Sequence, residues 1–306
     1  MTDLPSGFFC CEYSVEVGEQ LFATAPRADV WLALEYTFPW KKDAFAESEL
    51  TTPVKQQIDA YLAAIPRSRL QLIRQPAGGS TTGAALYIAI SGDQQAVLYK
   101  IHLNSYDDLL TLDVPGIASG DPTYDHYKID RPIFLICANG KRDISCAKYG
   151  RPVYDSLSKL TGESAWQTTH LGGHRFAATV AILPHGLCFG RVPENQTETL
   201  MNEFRQGRIC LDLFRGRSCY DEPVQAADYF LREQTNTQGL FELRLVDASN
   251  DGSNWLITFE SAANGAKYAV ALSQYLSEFA IIKNSSDPQG KPGPQFKLKH
   301  IKSLSN

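Results

Sequence analysis

The chain has 306 residues, with 29 Lys plus Arg against 34 Asp plus Glu, a formal charge of −5. Hydrophobic residues at 43% and charged residues at 21% exclude global disorder, and the acidic balance excludes a general nucleic-acid binder, which needs a basic face. No run approaches the ~18–20 apolar residues of a membrane span, and the N-terminus lacks the basic-then-apolar pattern of a secretory leader, so a cytoplasmic protein without membrane contact is expected.

In chain order, Asp29–Tyr36 is apolar at nearly every position and predicts a strand buried on both faces. Thr52-Pro53 opens a helix whose apolar residues Val54, Ile58, Tyr61, Leu62 and Ile65 recur at helical spacing until Pro66. A strand at Arg69–Gln75, a turn at Gly78-Gly79 and a hairpin of Ala84–Ile90 with Ala96–Leu103 complete a β-α-β-β-β order. Residues 105–130 read as a linker with a short helical piece near Asp107–Leu112. The pattern then repeats: a strand at Arg131–Ala138, a helix ending at Gly162, a strand at Ser164–Thr169, and a hairpin of Arg175–Leu183 with Gly186–Val192. Asn195 and Glu198 suggest a capping box for a helix stopped by Gly207. Beyond Pro223 come a helix (Val224–Glu233), a hairpin around Asn250-Asp251-Gly252, a linker at Asn284–Pro294 and an alternating edge strand at Gln295–Ile301. This order predicts an α/β chain of three parts. A thioredoxin-like sandwich without ligands occupies 1–120, a second such unit 121–218, and a small α+β appendage 219–306.

Seven cysteines, at positions 10, 11, 137, 146, 188, 210 and 219, include no C-x-x-C, which removes the usual dithiol motif. In a reducing compartment each is a small buried hydrophobe, a ligand or a nucleophile. Cys10-Cys11, beside a terminus expected to be flexible, and Cys188, Cys210 and Cys219 are expected to be non-ligands.

Chemistry concentrates between Cys137 and His174. Cys137 ends a buried strand, and Cys146 follows near a helix start, where the helix dipole favours a thiolate. His170 and His174 stand in H-L-G-G-H, whose glycines argue for a loop and can take positive φ at Gly172 and Gly173. Two Cys and two His in fewer than forty residues suit a metal. The eight residues between the cysteines exceed a zinc-finger knuckle, so structural zinc and a [2Fe–2S] cluster both stay open. A thiol oxidoreductase using Cys146 as nucleophile is a third reading. Lys141, Arg142, Lys148 and Arg151 against Asp143 make the segment Cys137–Tyr154 net +3, a field that favours an anionic centre and offers docking to an acidic redox partner.

The runs C-A-N-G-K-R-D-I-S-C-A-K-Y-G-R-P, H-L-G-G-H-R-F-A and L-P-H-G-L-C-F-G-R-V resemble the sucrase/ferredoxin-like family, most specifically between Asp130 and Val192. Ser145 and Cys188 depart from the family's common residues, and neither is among the four proposed ligands. The resemblance implies a thioredoxin-like ferredoxin with a bis-histidinyl, non-Rieske [2Fe–2S] cluster. Its ligands would be Cys137, Cys146, His170 and His174, supported by Lys141, Arg142, Gly172, Gly173 and Arg175. It further implies electron transfer or redox sensing rather than transformation of a substrate.

Overall fold

The apolar run Val30–Glu35 forms β1, buried along its whole length, and Thr52–Ala64 forms the helix that packs on it. A short helix, α1 (Cys10–Glu16), precedes them, so β1 is followed by α2 (Thr52–Ala64), β2 (Ser68–Arg74), β3 (Ala84–Ser91) and β4 (Ala96–Leu103). The computed structural model describes residues 8–76 and 83–304; the turn expected at Gly78-Gly79 lies outside the described residues. The segment 105–130 contains more structure than a linker: a 3₁₀ turn at Tyr106–Leu110, α3 (Val114–Ala118), another 3₁₀ turn at Pro122–Tyr127, and β5 (Lys128–Ile129). Asp113 caps α3 through the Gly116 N–H at 2.9 Å.

The second unit runs β6 (Ile133–Cys137), α4 (Ile144–Thr161), β7 (Ala165–Thr168), β8 (Val180–Leu183), β9 (Leu187–Phe189), α5 (Thr197–Arg205) and β10 (Phe214–Arg217). Pro152 sits within α4, and the helix continues through it. The expected Asn195/Glu198 capping box does not form: a 3₁₀ turn at Glu194–Gln196 leads into α5, and Thr197 Oγ1 donates to the Glu194 carbonyl at 2.9 Å.

The two units share one ten-stranded sheet in the order β10-β9-β8-β6-β7-β2-β1-β3-β4-β5. Each carries the same core, a parallel pair joined by a helix (β1 with β2, β6 with β7) and an antiparallel hairpin on the other side of the first strand. They meet edge to edge where β2 pairs antiparallel with β7, Ile73 opposite Thr168 and Arg74 opposite Gln167. The joint removes two open strand edges at once. Side chains alternate along β6: Phe134 and Ile136 pack with Val153 and Leu157 of α4. Ile133, Leu135 and Cys137 enter a core shared with Trp31, Ile73 and Tyr87 of the first unit.

The C-terminal part holds α6 (Glu222–Thr235) against a four-stranded antiparallel sheet of β11 (Leu243–Asp251), β12 (Asn254–Ser261), β13 (Lys267–Leu276) and β16 (Pro294–Leu304), with β16 at an edge as expected. Between β13 and β16 the chain corrects a second expectation. Residues 284–294 are largely a hairpin, β14 (Ile281–Asn284) with β15 (Asp287–Lys291), and not a linker. Ser285 in its turn reaches the centre of the second unit.

Candidate metal centre

Cys137 is the last residue of β6, and its N–H donates to the Thr179 carbonyl at 3.1 Å, so the sheet itself fixes its position. Cys146 lies in the first turn of α4, whose N-terminus is capped by Asp143 accepting from the Ser145 N–H at 2.8 Å. Gly150 allows the close approach of helix to strand: a Cβ there would lie 2.0 Å from the Cys137 carbonyl oxygen. His170 follows the β2–β7 seam directly, where Thr169 N–H donates to the Leu72 carbonyl at 2.9 Å and Leu72 N–H to Thr169 Oγ1 at 3.1 Å. Gly172 (φ +98°) and Gly173 (φ +73°) then take the left-handed backbone expected of them and turn the chain back to His174.

The donor atoms of Cys137, Cys146 and His170 all lie within 4.8 Å of one another, with Cys146 Sγ 4.0 Å from His170 Nδ1. His174 stands beside them, its ring centroid 4.7 Å from that of His170. Its Nε2 faces the other way, donating to the Lys283 carbonyl and lying 3.7 Å from Asp143 Oδ2. A carbonyl can only accept, so Nε2 carries the proton and Nδ1 keeps its lone pair. That Nδ1 is buried without a hydrogen-bond partner. A buried imidazole lone pair without a partner, on the ring beside His170, fits a bound metal centre, although the donor atoms that converge within 4.8 Å are those of Cys137, Cys146 and His170 without His174.

Electrostatics couple the two thiols. The neighbouring Cys146, with His170 and the Leu171 backbone, holds the Cys137 thiol well below its usual range despite complete burial. Cys146 is correspondingly pushed up, first by Cys137 and then by burial, so the pair shares one proton. Both sulfurs belong to residues only 1% exposed. Burial and the neighbouring His170 lower His174 and keep it neutral.

Around this core lies a layer the sequence did not reveal. Cys10 and Cys11 are buried in α1, not loose at a terminus, and the donor atoms of Cys10, Asp143 and His174 form a second group within 4.8 Å. Ser285 joins them: its N–H donates to Asp143 Oδ2 at 2.8 Å and its hydroxyl to Asp143 Oδ1 at 2.9 Å, with Cys10 Sγ 3.3 Å away. Burial alone would raise the Asp143 carboxyl, but hydrogen bonds from Ser285 and Ser145 and the nearby His174 hold it below its usual value. The D-I-S step before the helix was a readable capping signal; no local signal marked Ser285. Lys141 and Arg142 are exposed on the β6–α4 turn. Arg175 pairs with Glu19 at 2.7 Å and lies over Phe176. Among the described residues no helix is long and apolar enough to cross a membrane.

A family model described as sucrase/ferredoxin-like matches residues 21–216. The chain is also 31% identical over 104 residues to a protein named "Altered inheritance of mitochondria protein 32" from Meyerozyma guilliermondii. That match covers 30% of this chain and 37% of the relative, so it spans little more than a third of the relative's length. No solved structure matches the chain.

Proposed function

The chain belongs to the sucrase/ferredoxin-like family, and on that premise we propose that it carries a [2Fe–2S] cluster on Cys137, Cys146, His170 and His174 and serves electron transfer or redox sensing. The observation that carries the reading is the convergence of the two sulfurs with His170 beside a buried His174 whose Nδ1 has no partner. The order β7-β6-β8-β9 supports a thioredoxin-like sandwich for the cluster unit, 121–218, with a ligand-free counterpart in 1–120 and an appendage in 219–306.

When bound, the cluster supplies one-electron redox chemistry. The chain's own groups do the rest. Cys137 and Cys146 contribute anionic sulfur, and the imidazoles contribute neutral nitrogen, which favours a higher potential than four thiolates would. The Lys283 carbonyl fixes the His174 tautomer, and α1 with the β14–β15 hairpin packs on the Asp143 side. Lys141 and Arg142, exposed on the turn that follows Cys137, offer the contact for an acidic redox partner. Seven free thiols support a reducing compartment such as the cytoplasm.

Anaerobic purification tests this directly. The expected product is reddish brown, with about two irons and two sulfides per chain. His170→Ala and His174→Ala should alter the spectrum, and Cys188→Ala should leave it unchanged. A colourless protein with stoichiometric zinc, or one free of metal, would refute the reading.

A further inference from the structure

Two arginines are placed on the ligand loop in a way the four donors do not require. Arg69 belongs to β2 of the first unit, yet its Nη2 donates across the seam to the Leu171 carbonyl at 3.1 Å, with the His170 carbonyl at 3.4 Å. Arg215 belongs to β10 of the second unit, and its Nη1 donates to the Gly172 carbonyl at 3.0 Å while Nε donates to Thr24 Oγ1 at 3.0 Å. Three successive carbonyls between the two histidines are thus held by two guanidiniums arriving from different units. The glycines fit this arrangement: a Cβ on Gly173 would lie 2.6 Å from Arg215 Nη2, and one on Gly172 would lie 3.6 Å from Arg69 Nη2.

Neither arginine has a carboxylate within 4.0 Å among the described residues, unlike Arg27, Arg67, Arg175, Arg208, Arg232 and Arg244, a lack they share with the buried Arg217. Arg215 is 2% exposed, and Arg69 Nε is buried without a partner. Uncompensated guanidiniums are costly to bury, and the sulfurs near enough to offset them are Cys188 first and then Cys137, of which Cys137 belongs to the proposed ligand set.

We propose that Arg69 is a positioning residue contributed by the first unit: with Arg215 it holds the His170–Gly172 carbonyls and sets a fixed positive charge beside Cys137. The unit without ligands thereby helps to set the reduction potential of a centre it does not bind. This rests on the cluster reading above, and it assigns the seam a role beyond packing. Added electron density at the centre is stabilised by a cation that cannot lose its proton and is poorly hydrated, which suits Arg and not Lys at a site that also needs directional donors.

The test compares the full-length wild-type chain with Arg69→Gln and Arg69→Lys in three measurements: iron content, midpoint potential, and amide hydrogen exchange at Leu171–His174 in metal-free protein. Arg69→Gln should keep its iron, become about tenfold harder to reduce at fixed ambient potential, a fall of about 59 mV for one electron, and exchange faster in the loop. Arg69→Lys should recover most of the potential but not the loop protection. An unchanged midpoint in Arg69→Gln, or loop exchange equal to wild type in the metal-free chain, would overturn the proposal. So would iron loss in Arg69→Gln that Arg69→Lys fails to restore. Absence of iron from the wild type would refute the cluster reading instead, and the exchange measurement would still decide whether Arg69 holds the loop.

Discussion

Substituting Gly150 by Ala tests whether the separation of α4 and β6 controls the site. The new methyl carbon would lie 2.0 Å from the Cys137 carbonyl oxygen, 3.1 Å from its carbon and 3.6 Å from Ala138 Cα. Restoring a normal carbon–oxygen contact of roughly 3.3 Å requires helix and strand to part by about 1.3 Å. The obstacle is backbone on both sides, so no rotamer change relieves it. Alanine gains up to ~1 kcal/mol of helix propensity, and overpacking of this kind costs ~1–3 kcal/mol, so a net loss of ~1–2 kcal/mol is expected. Cys146 lies four residues earlier, on the same face of α4, and moves with it away from Cys137. The assay is urea unfolding of the metal-free chain, together with iron content after anaerobic purification. Both the midpoint denaturant concentration and the iron content should fall. A Gly150→Ala chain as stable as wild type, with full iron, would refute the claim that this contact sets the cysteine spacing.

Other perturbations follow from the surrounding layer. Asp143→Ala removes the α4 cap and both Ser285 contacts, and should cost ~1–2 kcal/mol in denaturant unfolding while speeding hydrogen exchange in the β14–β15 hairpin. Ser285→Ala keeps the cap and should cost ~1 kcal/mol, with faster thiol labelling of Cys10. His185, packed against Phe204 and Phe241, is held down to about 4 by burial and then by Arg217. The folded state keeps this imidazole neutral, whereas the unfolded chain protonates it near pH 6.5. The stability due to His185 is therefore full above pH 6.5 and is lost as pH falls towards 4, in total ~3 kcal/mol. In His185→Phe, unfolding midpoints measured from pH 7 to 4 should show a shallower acid slope; an unchanged slope would remove His185 from the account.

The sequence by itself determined most of the regular elements and pointed to the candidate Cys and His donors. Period-two and period-3.6 apolar spacing is local, so most core strands and the main helices α2, α4 and α6 were legible within a few residues of their observed ends, whereas the strand expected from Arg175 begins only at Val180, after a 3₁₀ turn at His174–Phe176. The H-L-G-G-H turn was legible because positive φ strongly favours glycine there. What only the tertiary structure decided is everything joined by long sequence separation. The β2–β7 seam sets residues about 95 apart side by side, the Arg69 contact to Leu171 spans 102 positions, and Cys10 meets Ser285 across 275. The sequence shows no periodicity that encodes such pairings, since each depends on where two separately stable elements pack. The tilt of His174 towards Lys283 belongs to the same class. A histidine's neighbours in the chain say it can donate a lone pair, but which nitrogen is free depends on a carbonyl brought up by a distant hairpin.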